Sequence, residues 1–134
     1  MVWALWRSHT RRTREGSADR ESVASDTVAI GCASRTQDMG RTWSAAEPLA
    51  LPNPNSKMHM IRLEPSGLLA AVINNHHRSV ACRNCRTNLH VVVSSDEGVT
   101  WRNVATLEDT MESNVRVHYP TLVQVRFREG GGRG

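Results

Sequence analysis

Short apolar stretches recur along the chain from Val28 onward, separated by Gly, Pro, Asn and Asp. They are rich in β-branched residues, and several alternate apolar with polar positions, which is the period of a strand with one buried face. No stretch combines a sustained helical period with capping residues. The pattern therefore predicts an all-β fold. The predicted strands are Val28–Ser34, one at Trp43, Met58–Leu63, Leu68–Asn74, Leu89–Ser95, Trp101–Leu107 and Thr121–Phe127.

Two polar regions flank these strands. Residues 8–27 contain a single Val and no Leu, Ile or aromatic residue, a composition typical of an exposed loop or a disordered linker. Residues 128–134 are mostly glycine, which favours a flexible tail. We therefore predict a partial upstream strand and linker over residues 1–27, a strand-rich segment over 28–127, and a loose tail over 128–134.

One eight-residue pattern occurs twice. Thr36–Trp43 and Ser94–Trp101 both read [S/T]-x-D-x-G-x-T-W, at an offset of 58 residues. These are turn residues, because Asp accepts hydrogen bonds from nearby amides and Gly adopts positive φ. The Trp that follows is expected to bury its ring under the turn. A hairpin repeated at this interval indicates a β-propeller with four-stranded blades, one of which fits between Met58 and Leu107.

The repeated pattern resembles the Asp-box, or bacterial neuraminidase repeat, of sialidases. The surrounding residues resemble the BNR-repeat-like branch: Leu51–Ser56 reads L-P-N-P-N-S, an apolar strand ends at Asn74, and Tyr119 precedes proline. The resemblance covers about residues 28–125, and Ala4–Ser8 matches an upstream strand. It implies a partial β-propeller, with about two to three four-stranded blades of an expected six.

The resemblance also implies roles for individual residues. It makes Tyr119 the catalytic nucleophile, although a packed residue at a strand edge is an open alternative. It makes Arg86 a clamp for the substrate carboxylate, although the residue by itself favours a solvated or structural arginine. The substrate-binding residues implied are Arg7, Asn55, Ser56, Asn74 and Arg86. The structural Asp-box residues are Asp38, Gly40, Thr42, Trp43, Asp96, Gly98, Thr100 and Trp101.

Three departures from the family pattern bear on activity. Arg116 occupies the position, three residues before Tyr119, where the family has the glutamate that takes the proton from the nucleophile. The loop after Asn55 lacks the Gly and Asp of the family motif, and fewer blades are present than a propeller needs. We therefore expect a fragment of a sialidase-like (exo-α-sialidase type) glycoside hydrolase domain, inactive alone, with a glycan or sialoside as its partner. The alternative is a non-catalytic carbohydrate-binding or protein-interaction propeller fragment. Either would need oligomerisation or further blades to close a propeller.

Composition and charge bear on whether the chain is a membrane protein, a secreted protein or a nucleic-acid-binding protein. The chain has 134 residues and a net charge of +4, and its longest strongly apolar run, Leu68–Ile73, is too short to span a membrane. The first six residues are too short for a signal peptide, so the sequence does not indicate a compartment. The arginines are scattered, which leaves nucleic-acid binding as a third but disfavoured class.

A cluster of histidines and cysteines suggests one further alternative. His76, His77, Cys82 and Cys85 lie within ten residues, and His90 follows shortly after. Two thiolates with two imidazoles suit tetrahedral zinc, but structural zinc sites usually use two separated ligand pairs and only one Cys-x2-Cys occurs. The sequence therefore favours an ordinary loop, and predicts neither a metal nor another cofactor.

Overall fold

A computed structural model describes residues 2–7, 30–54, 56–76, 86–110 and 114–126. These ranges contain seven strands and no helix that could cross a membrane. The prediction of an all-β fold is confirmed. The strands are β1 (Val2–Arg7), β2 (Ile30–Thr36), β3 (Glu47–Pro52), β4 (His59–Arg62), β5 (Leu69–Ile73), β6 (Asn88–Ser94) and β7 (Arg102–Asp109).

The strands form two antiparallel sheets. The first sheet has the order β1-β2-β3, and the second has the order β4-β5-β6-β7. Each Asp-box forms the turn between two neighbouring strands, β2 and β3 in the first sheet and β6 and β7 in the second. The repeat in the sequence is thus a repeat of structure, and β1, β2 and β3 correspond to β5, β6 and β7.

Among the described residues a hydrophobic core joins the two sheets. Ala33, Leu49 and Leu51 of the first sheet pack with Ala71, Ile73 and Val92 of the second and with Met58 from the connection between them. Gly31 lies at this contact, where a Cβ atom would come within 2.6 Å of the Met58 methyl carbon. Sheets packed face to face in chain order, without closing into a barrel, are the arrangement of a partial β-propeller.

Two predicted strands are wrong. Trp43 does not begin a strand, because its indole turns back onto the Asp-box and regular pairing starts only at Glu47. Residues 121–126 alternate as a strand would but form none, since among the described residues no neighbouring strand pairs with them. The upstream strand runs over Val2–Arg7, two residues earlier at its start than the predicted match. Residues 8–29, 77–85 and 127–134, which include the predicted linker and tail, lie outside the described residues.

The strand register shows which strand ends lie together, and so distinguishes two ends of the stacked sheets. In the second sheet His59 pairs with Val72, so the start of β4 and the end of β5 lie together. The six-residue connection between β3 and β4 keeps the corresponding end of the first sheet on the same side. We call this the connection end. The two Asp-box turns lie at the other end, which we call the turn end.

Candidate functional site

The two Asp-boxes at the turn end have the same hydrogen-bond pattern. In the second box, the Asp96 carboxylate accepts bonds from the Thr100 amide at 2.8 Å, from the Thr100 hydroxyl and from the Ser94 hydroxyl at 2.7 Å. The Ser94 hydroxyl in turn accepts the Gly98 amide at 2.8 Å. In the first box, Thr36, Asp38, Gly40 and Thr42 repeat these contacts with distances between 2.6 and 2.9 Å. Both glycines have positive φ, +89° at Gly40 and +84° at Gly98.

These contacts hold both aspartates ionised. Hydrogen bonds from the Thr42 hydroxyl and amide are the main cause that lowers the pKa of Asp38 to about 2. The corresponding bonds from Thr100 lower the pKa of Asp96 to about 2. A carboxyl group with a depressed pKa is a poor proton donor near neutral pH. Asp38 and Asp96 therefore stabilise the turns and are not suited to act as catalytic acids.

The two Asp-box tryptophans have different surroundings. Each indole Nε1 donates to the carbonyl oxygen of its box glycine, at 3.1 Å for Trp43 and 3.0 Å for Trp101. Trp101 also packs against the core between the sheets, whereas Trp43 is 45% exposed. The prediction that both rings are buried is therefore wrong for Trp43, because among the described residues no sheet covers that face.

At the connection end, Asn74 joins three segments of the second sheet. It follows β5 directly and is only 2% exposed. Its Nδ2 donates to the carbonyl of Asn88 at the start of β6 and to the carbonyl of Val117 beyond β7, each at 2.7 Å. A second bond, from the Val117 amide to the Arg86 carbonyl at 2.7 Å, fixes the same segment. Asn74 thereby positions the chain that leads to Tyr119.

Arg86 and Tyr119, far apart in the sequence, meet at this end. The Arg86 guanidinium carbon lies 5.8 Å from the centroid of the Tyr119 ring, within the range of a cation–π contact. The ring is half exposed, and the His118 ring meets it edge-on at 4.4 Å. Tyr119 has a φ of +58°, a left-handed conformation that is uncommon for a residue with a side chain and recurs at ligand-binding sites.

The other predicted site residues are more dispersed. Ser56 is buried in the connection between β3 and β4, where its amide donates to the Asn53 side chain at 2.7 Å. Arg7 ends β1, where its backbone pairs with Gly31, and only this backbone position is described. Asn55 lies outside the described residues. The structure thus brings Asn74, Arg86 and Tyr119 together, and places Ser56 and the backbone of Arg7 at the same end.

Two residues that do not stand out in the sequence help to build this end. The His59 Nδ1 atom accepts the Leu122 amide at 2.9 Å, which holds the segment after Tyr119 against β4. The Asn88 side chain donates to the Asn75 carbonyl at 3.0 Å and so links β6 to the residue after Asn74. Asparagines at positions 74, 75 and 88 are the sequence feature that indicates this arrangement, because amide side chains can donate hydrogen bonds to carbonyls at strand ends.

No group of three potential metal ligands comes together among the described residues. Three of the candidate zinc ligands lie outside the described residues: His77, Cys82 and Cys85. His90 is described, and its Nδ1 atom lies 3.3 Å from the Asn75 side-chain nitrogen.

The fold and its turns define a class of protein. It is an all-β protein whose sheets are stacked as propeller blades and whose neighbouring strands are connected by Asp-box turns. The family model of the BNR repeat-like domain matches residues 4–129, and the chain belongs to this family. This domain is found in sialidase-like glycoside hydrolases. No curated protein and no solved structure matches the chain at a significant level.

Proposed function

We propose that the chain is a domain of a sialidase-like glycoside hydrolase that, by itself, binds an acidic sugar without hydrolysing its glycosidic bond. The observation that carries this proposal is the contact of Arg86 with Tyr119 at the connection end. A guanidinium group can pair with a sugar carboxylate, and a half-exposed aromatic ring offers an apolar surface beside it. A few polar groups next to an apolar surface are the usual composition of a small-molecule site.

The proposed lack of turnover rests on the surroundings of Tyr119. A tyrosine hydroxyl needs a nearby base to become a nucleophile. Among the described residues no carboxylate is hydrogen-bonded to the Tyr119 hydroxyl, and the position three residues earlier holds the exposed, cationic Arg116. A cation cannot accept the proton, so binding without bond cleavage is the activity that these residues support.

Ligand-detected saturation-transfer NMR with an α-methyl sialoside tests the binding. We expect a signal for the unmodified protein that Arg86→Ala and Tyr119→Ala each reduce at least tenfold. Arg116→Ala serves as the matched control, since it removes an exposed arginine three residues from the same tyrosine and should leave the signal unchanged. Equal loss in all three variants would refute a specific site.

A fluorogenic sialoside, assayed on the same samples, tests the absence of turnover. We expect no release of the fluorophore above the rate in buffer. Turnover abolished by Tyr119→Phe would show that another residue supplies the base. In that case the proposal of binding without hydrolysis is wrong.

A further inference from the structure

The two sheets differ by one strand. The second sheet has β4 beside β5, whereas the first sheet begins at β1, the counterpart of β5. The described part of the first sheet therefore lacks the counterpart of β4. This leaves the outer edge of β1 with backbone groups that no described strand pairs, which makes it a template for another strand.

A candidate for that missing strand follows the second sheet. Residues 121–126 contain no turn and alternate in the manner of a strand. The segment is held beside β4 by the Leu122 amide and by the Gln124 side chain, whose Oε1 atom accepts the Glu64 amide at 2.9 Å. Val123 and Val125 are 71% and 66% exposed. Alternate amides of a strand point to opposite edges, so those of Val123 and Val125 would point away from the edge at which the Leu122 amide is bonded.

The outer faces of the two sheets are also complementary to each other. Leu49 of the first sheet is 5% exposed because it packs in the core against the second sheet, but Leu107, its counterpart 58 residues later, is 57% exposed. Conversely, Trp101 packs against that core, whereas its counterpart Trp43 is 45% exposed. Leu107 and Trp43 are thus exposed counterparts of two residues at the internal interface, while Asp109 stands at the counterpart position of Leu51.

We propose that a second copy of this chain covers these surfaces, head to tail. Residues 121–126 of one copy pair antiparallel with β1 of the next and supply its fourth strand. The Leu107 face of the first copy then packs on the Trp43 face of the next. A second copy is the matching occupant because its contact would place Leu107 against Trp43, as Leu49 and Trp101 both pack in the core between the two sheets within the chain. Such a heterologous contact can continue until the assembly closes as a ring.

Light scattering coupled to size-exclusion chromatography tests this proposal on the full chain. We expect a mass that is a multiple of 14.9 kDa at micromolar concentration. The double substitution Val123→Pro/Val125→Pro removes two amide donors from the incoming strand, and Leu107→Arg places a charge on the apolar face. Each should reduce the mass to that of a single chain. Val99→Arg is the matched control, because Val99 is also exposed, at 67%, but lies on the turn of the second Asp-box.

A synthetic peptide with the sequence of residues 119–126 gives an independent readout. It should compete for β1 and dissociate the assembly of the unmodified protein, while a peptide of scrambled sequence should not. Circular dichroism establishes that each variant keeps its β structure, and the proline variant tests the proposal even where Leu107→Arg misfolds. A single-chain mass for the unmodified protein overturns the proposal, as does an assembly that survives both the proline substitutions and the peptide. The saturation-transfer experiment with the sialoside is independent of these outcomes, since the variants leave Arg86 and Tyr119 unchanged.

Discussion

The contrast between Trp101 and Trp43 gives the sharpest test of the fold. The two residues occupy the same place in the repeat and make the same indole hydrogen bond, but only Trp101 packs against the core between the sheets. Replacing Trp101 with alanine removes an aromatic side chain that buries on the order of 150–200 Å². At about 25 cal/mol per Å² this corresponds to roughly 4–5 kcal/mol of transfer free energy. Residual exposure of the ring lowers this value, and loss of the indole hydrogen bond adds about 1 kcal/mol.

We therefore expect Trp101→Ala to reduce the free energy of unfolding by about 3–5 kcal/mol, the range observed for large aromatic residues in cores. Trp43→Ala should cost about 1–2 kcal/mol, since nearly half of this side chain is already in water. The measurement is urea unfolding monitored by circular dichroism, at a protein concentration low enough for single chains to dominate. A loss below about 1 kcal/mol for Trp101→Ala, or equal losses for the two variants, would refute the packing described here.

Two further predictions concern the carboxylates of the turn end and the amide of the connection end. The pKa values of Asp38 and Asp96 are depressed to about 2 in the fold. Their stabilisation is thus fully present above the unfolded pKa of about 4 and is lost as the pH falls towards 2. The slope of unfolding free energy against pH between 4 and 2 should be shallower in Asp38→Asn/Asp96→Asn than in the unmodified protein, and identical slopes would contradict the assignment. Asn74→Ala should cost about 2–3 kcal/mol in the same urea assay, because two carbonyls lose their donor. Asn75→Ala, at the exposed neighbouring residue, is the control and should cost less than about 0.5 kcal/mol; a similar loss in both would show that the buried amide contributes nothing specific.

The local structure of this protein follows from its amino-acid sequence. Asp, Gly and Thr in the repeat each have a conformational or hydrogen-bonding role that acts within eight residues, so the Asp-box turns could be read without the fold. The apolar and β-branched runs likewise predicted five of the strands closely, β2 and β4 to β7, because a strand with a buried face imposes its period on the sequence. The resemblance to Asp-box proteins rested on these same local signals, and the family match over residues 4–129 supports it at the level of the family.

Which of these elements have partners depends on long-range contacts. Residues 121–126 alternate as well as β6 does, but a strand requires a neighbour to accept its hydrogen bonds, and none is present among the described residues. Trp43 and Trp101 are identical in the sequence pattern and differ in burial, since only one faces another sheet. The contact of Arg86 with Tyr119 depends in the same way on the bond between Asn74 and the Val117 carbonyl, which joins residues 43 positions apart. The burial of a side chain and the pairing of a strand both depend on residues that are distant in the sequence. A single stretch of sequence does not contain that information.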